Sequence, residues 1–578
     1  MAFYLSPLVD VNEIDLTTTI PAVATSIGVI VLRNTYKGPQ NKKTLITSTN
    51  ELINTFGKPT NVAACYKDIL SATGFLKYGN MLYCTRVMPA DAKFAGTSAP
   101  AVSGSASWED CNPVWSLSDF ASGDPDDFAE ETPQGDFADF IAASVGAWGN
   151  NIRIALVNKT WYDYINTHTW AQAQTVGFTD ETMFNDIKSI DSALSDAYDF
   201  LVVVSAKAQG STSWNVVEYF NVSTDQNKVD DQGKKKFAEM NINGPSNYIR
   251  ICLHEDAKDQ PVLTTTTAYV ELGGGDDGTF GSGEEDTAVI AGYNLYANPE
   301  DIDINIVIDS DKSMTVKSAL IELCETRKDA MAVLDCISTD VINNADPTEA
   351  LRVWRRETFN ENTSYASFYG NWLEVYDKWN GKYRWVPASG FVAGIYANTD
   401  DVSDPWWAPA GLNRALLTNI RRLAWNPTLG QRNILYKNGI NPIVSFAGQG
   451  KVVWGQKTLL DKESAFNRVN VRRLFIVLEK AISTAAKYFL FEPNDDLTRL
   501  LLVNMIDPFL RDVRSRRGIY DFMIVCDETN NTPERIDRNE LWCDIYIKPT
   551  RAAEFIVLNF IATKTGASFT EIAGATAA

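Results

Sequence analysis

Histidine is nearly missing from this chain: there are two in 578 residues, His168 and His254. That removes most nucleophile–base pairs and zinc sites built on imidazole. Long apolar runs are missing as well. Stretches such as Ile27 to Leu32 and Phe555 to Leu558 fall far short of the about 20 residues that span a bilayer, so no membrane insertion is expected. Eight cysteines are scattered at 65, 84, 111, 252, 324, 336, 526 and 543, with no CxxC pair among them. This spacing reads as a reduced, cytosol-made protein and not as a disulfide framework. The opening MAFYLSPLVD has no basic segment ahead of an apolar one, so no secretory signal is expected. Positive charge is in deficit too. Fifty-two Lys and Arg face 73 Asp and Glu, a net charge of −21, which argues against direct nucleic-acid binding.

Catalytic signatures are equally scarce. No GxSxG occurs. Gly273, Gly275 and Gly278 satisfy GxGxxG after AYVEL, but Asp276 and Asp277 sit where a pyrophosphate needs bare N–H groups, so a turn is expected. The run from Gly450 to Thr458 approaches a phosphate-binding loop, yet Gln456 intrudes between Gly455 and Lys457 and spoils the spacing. Asp400, Asp401 and Asp404 lack the twelve-residue calcium-loop pattern. No catalytic, cofactor-binding or metal-ligating residue is assigned, no cofactor is expected, and a structural role follows in place of an enzyme.

What is present fits a large globular chain. At 45% apolar and 22% charged, it has an ordinary composition, and its length is roughly four times a typical domain of about 150 residues. The acidity is concentrated. Residues 89–267 hold 11 Lys and Arg against 26 Asp and Glu, a balance of −15, whereas 468–578 hold 15 of each. The middle block therefore reads as a solvated outer face.

Periodicity gives an α/β (α+β) multidomain fold. SIGVIVLR (26–33), MLYCTRV (81–87) and INIVID (304–309) read as buried strands, with helices over ELINTFG and 62–78 between the first two. Asn380-Gly381, between aromatic runs, predicts a hairpin. The expected units are an extended N-terminal arm (1–20), a first part of the core (21–88) and an inserted strand-rich acidic domain (89–267). A second part of the core (268–467) and a C-terminal unit (468–578) complete the chain. In the arm, Val9, Val11, Ile14 and Leu16 alternate with polar residues, with one slip of phase. Over 468–490, Leu474, Phe475, Leu478, Ile482, Ala485 and Phe489 form one helix face, and Arg473, Lys480 and Lys487 form a basic stripe elsewhere. EFIVLNFIA (554–562) is apolar on both faces and predicts a strand buried on both sides, its side chains Phe555, Ile556, Val557, Leu558, Asn559, Phe560 and Ile561.

Several of these segments resemble the contractile tail-sheath proteins of myovirus-type bacteriophages. They include SPLVDVNEIDLTT (6–18), SIGVIVLRNTYKGP (26–39), NELINTFGKPT (50–60), GFLKYGNMLYCTRV (74–87) and the aromatic-rich segment 376–411. FNRVNVRRLF (466–475), DETNNTPERIDRNEL (527–541) and LNFIATKTGASF (558–569) follow in the same order as in that family. The resemblance spans roughly half the chain, and 89–360 departs from it. It implies a conserved inner α/β domain, a variable outer insertion, and terminal arms that add strands to sheets of neighbouring subunits. It implies a subunit of stacked hexameric rings that polymerise around a tail tube in an extended metastable state and contract to drive the tube through the host envelope. The implied partners are further copies of the chain, the tube protein, and baseplate and tail terminator proteins; the implied location is the virion tail, after assembly in the bacterial cytoplasm. Val9, Val11, Ile14 and Leu16, and the 555–561 strand, become inter-subunit arms, and Arg473, Lys480 and Lys487 candidate tube contacts. The sheath of a phage-derived injection device would carry the same motifs. A carbohydrate-active enzyme, suggested by 15 tryptophans, is the reading from a different class.

Overall fold

The computed structural model describes residues 26–99, 109–110, 124–130, 137–192 and 194–558. Two units emerge, one running to Glu492 and one from Pro493 onward. The first is organised by a seven-stranded sheet. Its order is Ile440–Asn441, Ala366–Tyr369, Met331–Asp335, Ile306–Ile308, Gly28–Arg33, Leu82–Val87 and Thr44–Ile46. All neighbours are parallel except the last pair.

The sequence accounts for this arrangement. Every residue of Gly28–Arg33 is buried, as a strand covered on both faces must be. Because side chains alternate, Ile30 and Leu32 enter one core with Ile69, Phe75, Phe391 and Val392, while Val29 and Val31 enter another with Val289, Tyr293, Val316 and Leu320. The helix Ala63–Phe75 meets Ser389–Val402 through glycines. A Cβ at Gly390 would lie 2.3 Å from the Ser71 carbonyl oxygen, and one at Gly394 would lie 2.8 Å from that of Gly74. Helix Thr49–Phe56 follows expectation: Ser48 accepts from the Glu51 N–H at its start, and Gly57, at φ 84°, closes it. Trp372–Asp377 pairs antiparallel with Lys382–Pro387 across the expected turn, with Gly381 at φ 62°.

Between the two halves of the parallel sheet lies the insert, built on two four-stranded sheets. One takes Ile249–Leu253, Ala138–Ala142, Gly96–Ala99 and Glu109–Asp110; the other takes Val270–Glu271, Ile152–Asn158, Asp199–Lys207 and Trp214–Ser223. Val270–Glu271 pairs with Ile154 and Arg153, so the insert continues past the expected boundary at 267. The chain re-enters the core at the glycine run. Gly96 N–H donates to the Gly273 carbonyl, Lys93 N–H donates to that of Asp276, and Asp277 accepts from the Ala147 N–H. That run is a crossing point held by its own aspartates. Buried Arg86 clamps the same junction, donating to the Thr35 hydroxyl and to the carbonyls of Gly38 and Val145.

The expected C-terminal unit, 468–578, is divided. Helix Val469–Ala486 belongs to the first unit, because buried Val469 and Ile476 pack into the same core as Ile30 and Phe391. The sequence signal at 468 was a change in charge balance, which does not report packing.

Candidate assembly surfaces

In parallel α/β sheets, ligands favour the crevice beyond the strand ends where the strand order reverses direction. Here that point lies between Arg33 and the end of Ile306–Ile308, and the protein's own charges fill it. Asp68, fully buried, accepts from the Arg33 backbone N–H (3.0 Å), from its Nε and Nη2 (both 2.9 Å), and from Lys312 Nζ (2.7 Å). Arg33 also reaches Glu285 and the Ser310 and Asp311 carbonyls. Both of those residues hold left-handed backbones, at φ 56° and 53°, an unusual strain for non-glycine residues. Burial alone would raise Asp68, but Arg33 and Lys312 hold its carboxyl below the usual carboxylate range. Burial and the nearby Arg33 cation press Lys312 down to about 8. Next to them, Lys317 pairs with Asp309 at 2.8 Å, and burial together with Asp309 lifts Asp335 to about 7. Sequence reading missed this network. Its partners lie as far as 278 residues apart, and no local pattern links them.

The basic stripe departs from expectation. Arg473 is buried and paired with Asp400 at 2.5 Å, over the Tyr396 ring. Lys480 is held by Asp303 and, at 3.6 Å, by Asp329. Only Lys487 stays well exposed, 4.0 Å from an exposed Glu300. The seven-residue spacing does put the three on one side of the helix axis. What the sequence could not reveal is that acids from distant segments cover the first two. Asp400, from the run weighed as a calcium loop, is thus an ion-pair partner of Arg473.

The unit from Pro493 onward offers different chemistry. Helix Asp496–Ser515, capped by Asp495 accepting from the Thr498 N–H, buries Leu502, Met505, Ile506, Leu510 and Val513. Its other flank exposes Leu497, Leu500 and Leu501. Strand Ile519–Val525 pairs antiparallel with Asp544–Pro549, and among the described residues neither has a second partner. A two-stranded sheet is marginal by itself and presents a free ladder edge on each side. Met523 lies opposite Tyr546, both exposed, and Asp521 opposite Lys548.

The NNTPERIDRNE motif closes this sheet. Asn530 donates to the Val525 carbonyl (2.7 Å) and to Asp544 (3.1 Å), tying the strand ends together. Asn531 exchanges two bonds with the Trp542 backbone, and the Arg535 guanidinium stacks 4.0 Å from the Trp542 ring.

Beyond Pro549 the chain carries no strand through Leu558, although a strand over 554–562 was expected. Phe555, Ile556, Val557 and Leu558 are 85%, 78%, 81% and 71% exposed. Among the described residues no strand of its own chain pairs with this run, so it stays exposed there. Asn559, Phe560 and Ile561 lie outside the described residues, as do Val9, Val11, Ile14 and Leu16 of the N-terminal arm.

Comparison with known proteins accords with this architecture. Residues 294–459 match the phage tail sheath protein central domain, and residues 461–563 match the phage tail sheath C-terminal domain. The tail sheath protein of Vibrio phage KVP40 is 35% identical over 467 residues, covering 76% of this chain and 67% of that protein. The tail sheath protein of Enterobacteria phage T4 is 36% identical over 316 residues, covering 51% of this chain and 48% of that protein. This chain therefore spans about two thirds of the first relative's length and about half of the second's. The crystal structure of a sheath tail protein from Listeria innocua matches at a TM-score of 0.52, covering 92% of this chain and 96% of that one at 11% identity, a likeness of fold. With the parallel core, the insert within it and more than a third of aligned positions shared with curated relatives, the chain belongs to the phage tail sheath protein family.

Proposed function

We propose that this chain is the contractile subunit of a phage tail sheath, polymerising around the tail tube in an extended state and shortening to drive the tube through the host envelope. Its partners in this reading are further copies of itself in stacked rings, the tube, and baseplate and terminator proteins. The observation that carries the reading is the exposed Phe555–Leu558 run, in a unit whose two-stranded sheet has no third strand among the described residues. A neighbour's arm on such an edge gains main-chain hydrogen bonds, and its alternate side chains gain pockets. The N-terminal arm with Val9, Val11, Ile14 and Leu16, and the C-terminal arm 555–561, are the proposed donors. The acidic insert is the proposed outer surface, with few lattice contacts.

Contraction in this scheme draws on energy stored during assembly and uses no nucleotide. A kinetic barrier holds the extended lattice until it is triggered. Exposed charge pairs on domain faces are worth only about 0–1 kcal/mol each, so they can break and re-form while strand-paired arms stay joined. Deleting residues 553–578 should leave a folded subunit that no longer polymerises. Electron microscopy of the truncated protein with its tube tests this, and sheaths of ordinary length would overturn it.

A further inference from the structure

Seven cysteines fall among the described residues. Cys65, Cys84, Cys252, Cys324 and Cys336 are buried; Cys526 and Cys543 are partly exposed. The strand register pairs Val525 with Asp544, so one step further toward the loop sets Cys526 against Cys543. Residues directly opposite in an antiparallel pair have Cα atoms about 4.5 or 5.5 Å apart, and both values lie inside the roughly 4.4–6.8 Å range a disulfide spans. The two thiols are close enough that each perturbs the ionisation of the other. Asn530 and Asn531 pin the strand ends next to them, so the pair is held in place and does not meet by chance.

We propose that Cys526 and Cys543 form a modification site, an oxidisable pair that closes to an intrachain disulfide on meeting a small-molecule disulfide. One thiol loses its proton, and its sulfur attacks the oxidant's S–S bond, releasing one small thiol and leaving a mixed disulfide. The second cysteine, deprotonated in turn, attacks the protein sulfur of that bond and expels the second small thiol. The net change oxidises two protein thiols to one disulfide and reduces one oxidant disulfide to two thiols, with the two protons passing to them. Burial raises both thiols, Cys543 to about 12, so little thiolate exists at neutral pH and the reaction accelerates as pH rises. The bond closes the loop 527–542 and locks the strand pair. That such a lock would stiffen an acceptor for neighbouring arms rests on the assembly reading; the thiol chemistry does not.

The test uses the full chain incubated with oxidised glutathione at pH 7 and pH 9. Free thiols are then alkylated under denaturing conditions, and tryptic peptides are mapped by mass spectrometry. The expected product is a cross-linked peptide pair containing Cys526 and Cys543, lighter by two hydrogens, forming at least several-fold faster at pH 9 and disappearing with dithiothreitol. Cys526→Ser and Cys543→Ser should each leave the other cysteine glutathionylated, for want of a resolving thiol. The oxidised wild-type chain should also be cut by trypsin at Arg535 and Arg538 several-fold more slowly than the reduced one. Recovery of both cysteines fully alkylated at pH 9 would overturn the proposal. So would separate glutathione adducts on the wild-type pair, or bonds between chains in place of the internal one.

Discussion

Substituting Asp68→Asn is the sharpest perturbation of the core. The carboxylate receives four donors, from Arg33 and Lys312, and is fully buried; the side chains of Arg33 and Lys312 are 7% and 1% exposed. An asparagine of the same shape retains one acceptor oxygen and turns an N–H₂ group toward N–H donors. Buried Lys312 then loses its ion-pair partner, and buried Arg33 keeps only the partly exposed Glu285. Removing one member of such a pair costs about 3–5 kcal/mol, a large share of the 5–15 kcal/mol that typically holds a domain folded. The cost depends on pH with a definite sign. Lys312 is already lowered to about 8 from 10.5 by burial and Arg33, so between those values the unfolded chain binds more protons and stability rises with pH. Without Asp68 the Lys312 amine falls further, so the deficit against the parent is greatest at acid pH, narrows as pH climbs to about 8, and is level beyond it. Adding Lys312→Met to Asp68→Asn removes one stranded cation, so the double variant should be less damaged than the sum of the singles by about 0.5–3 kcal/mol. Urea unfolding followed by tryptophan fluorescence at pH 6 and pH 9 measures all of this. A deficit below about 1 kcal/mol at pH 6, or one that widens with pH, would refute the reasoning.

Gly390→Ala should destabilise the first unit by about 1–3 kcal/mol, read as a lower melting temperature, because the new methyl meets the Ser71 carbonyl oxygen at 2.3 Å within two closely crossed helices. Asp335, raised to about 7 by burial and Asp309, contributes stability that is full below its unfolded value of 3.8 and is lost as pH rises through about 7. Asp335→Asn should flatten that part of the melting temperature against pH profile. Lys487→Glu should leave urea unfolding unchanged, since its contact with Glu300 is long and exposed; loss of tube-filled sheath in this variant would support a tube contact there, and normal assembly would remove Lys487 from consideration. Arg473→Glu, by contrast, sets a second carboxylate against buried Asp400 and should cost about 3–5 kcal/mol in the same assay.

Short-range patterns were legible in the sequence wherever one local force dominates. The apolar run at 28–33 could only be a strand covered on both faces, and Asn380-Gly381 could only close a hairpin. ELINTFG read as a short helix, and the structure caps it with Ser48 at its start and Gly57 at its end. Long-range charge was not legible. Nothing near Arg473 in the sequence announces Asp400, and nothing near Arg33 announces Lys312, so a buried cation and a solvated one look alike until the chain is folded. The insert boundary slipped for a related reason: Val270–Glu271 is too short to register as a strand, and its place is fixed by pairing with Ile152–Asn158. The NNTPERIDRNE motif stood out in the sequence without an evident cause. Its cause is the set of asparagine and arginine bonds that close the 519–549 strand pair.

The C-terminal run reads as a strand and forms none over 550–558 in the single chain, because periodicity reports what a segment can pair with and not whether its own chain supplies the partner. The energetics make the distinction matter. Burying Phe555, Ile556, Val557 and Leu558 against any apolar surface contributes about 1.5–3 kcal/mol each. Ordering four residues from an exposed chain costs about 1.5 kcal/mol each, which offsets much of that gain. Apolar docking alone is therefore a weak joint. A ladder of main-chain bonds at about 0.5–1.5 kcal/mol apiece adds a surplus that grows with the length of arm engaged. The outer edges of the 519–525 and 544–549 strand pair, unpaired among the described residues, are ladders of that kind. The buried ion pairs of the core have the opposite character, because each is satisfied within the chain and fails if one partner is withdrawn. In the proposed assembly, a subunit so divided would keep its interior closed and leave the bonds that join copies at its periphery, where they would form late and hold while the faces between them change.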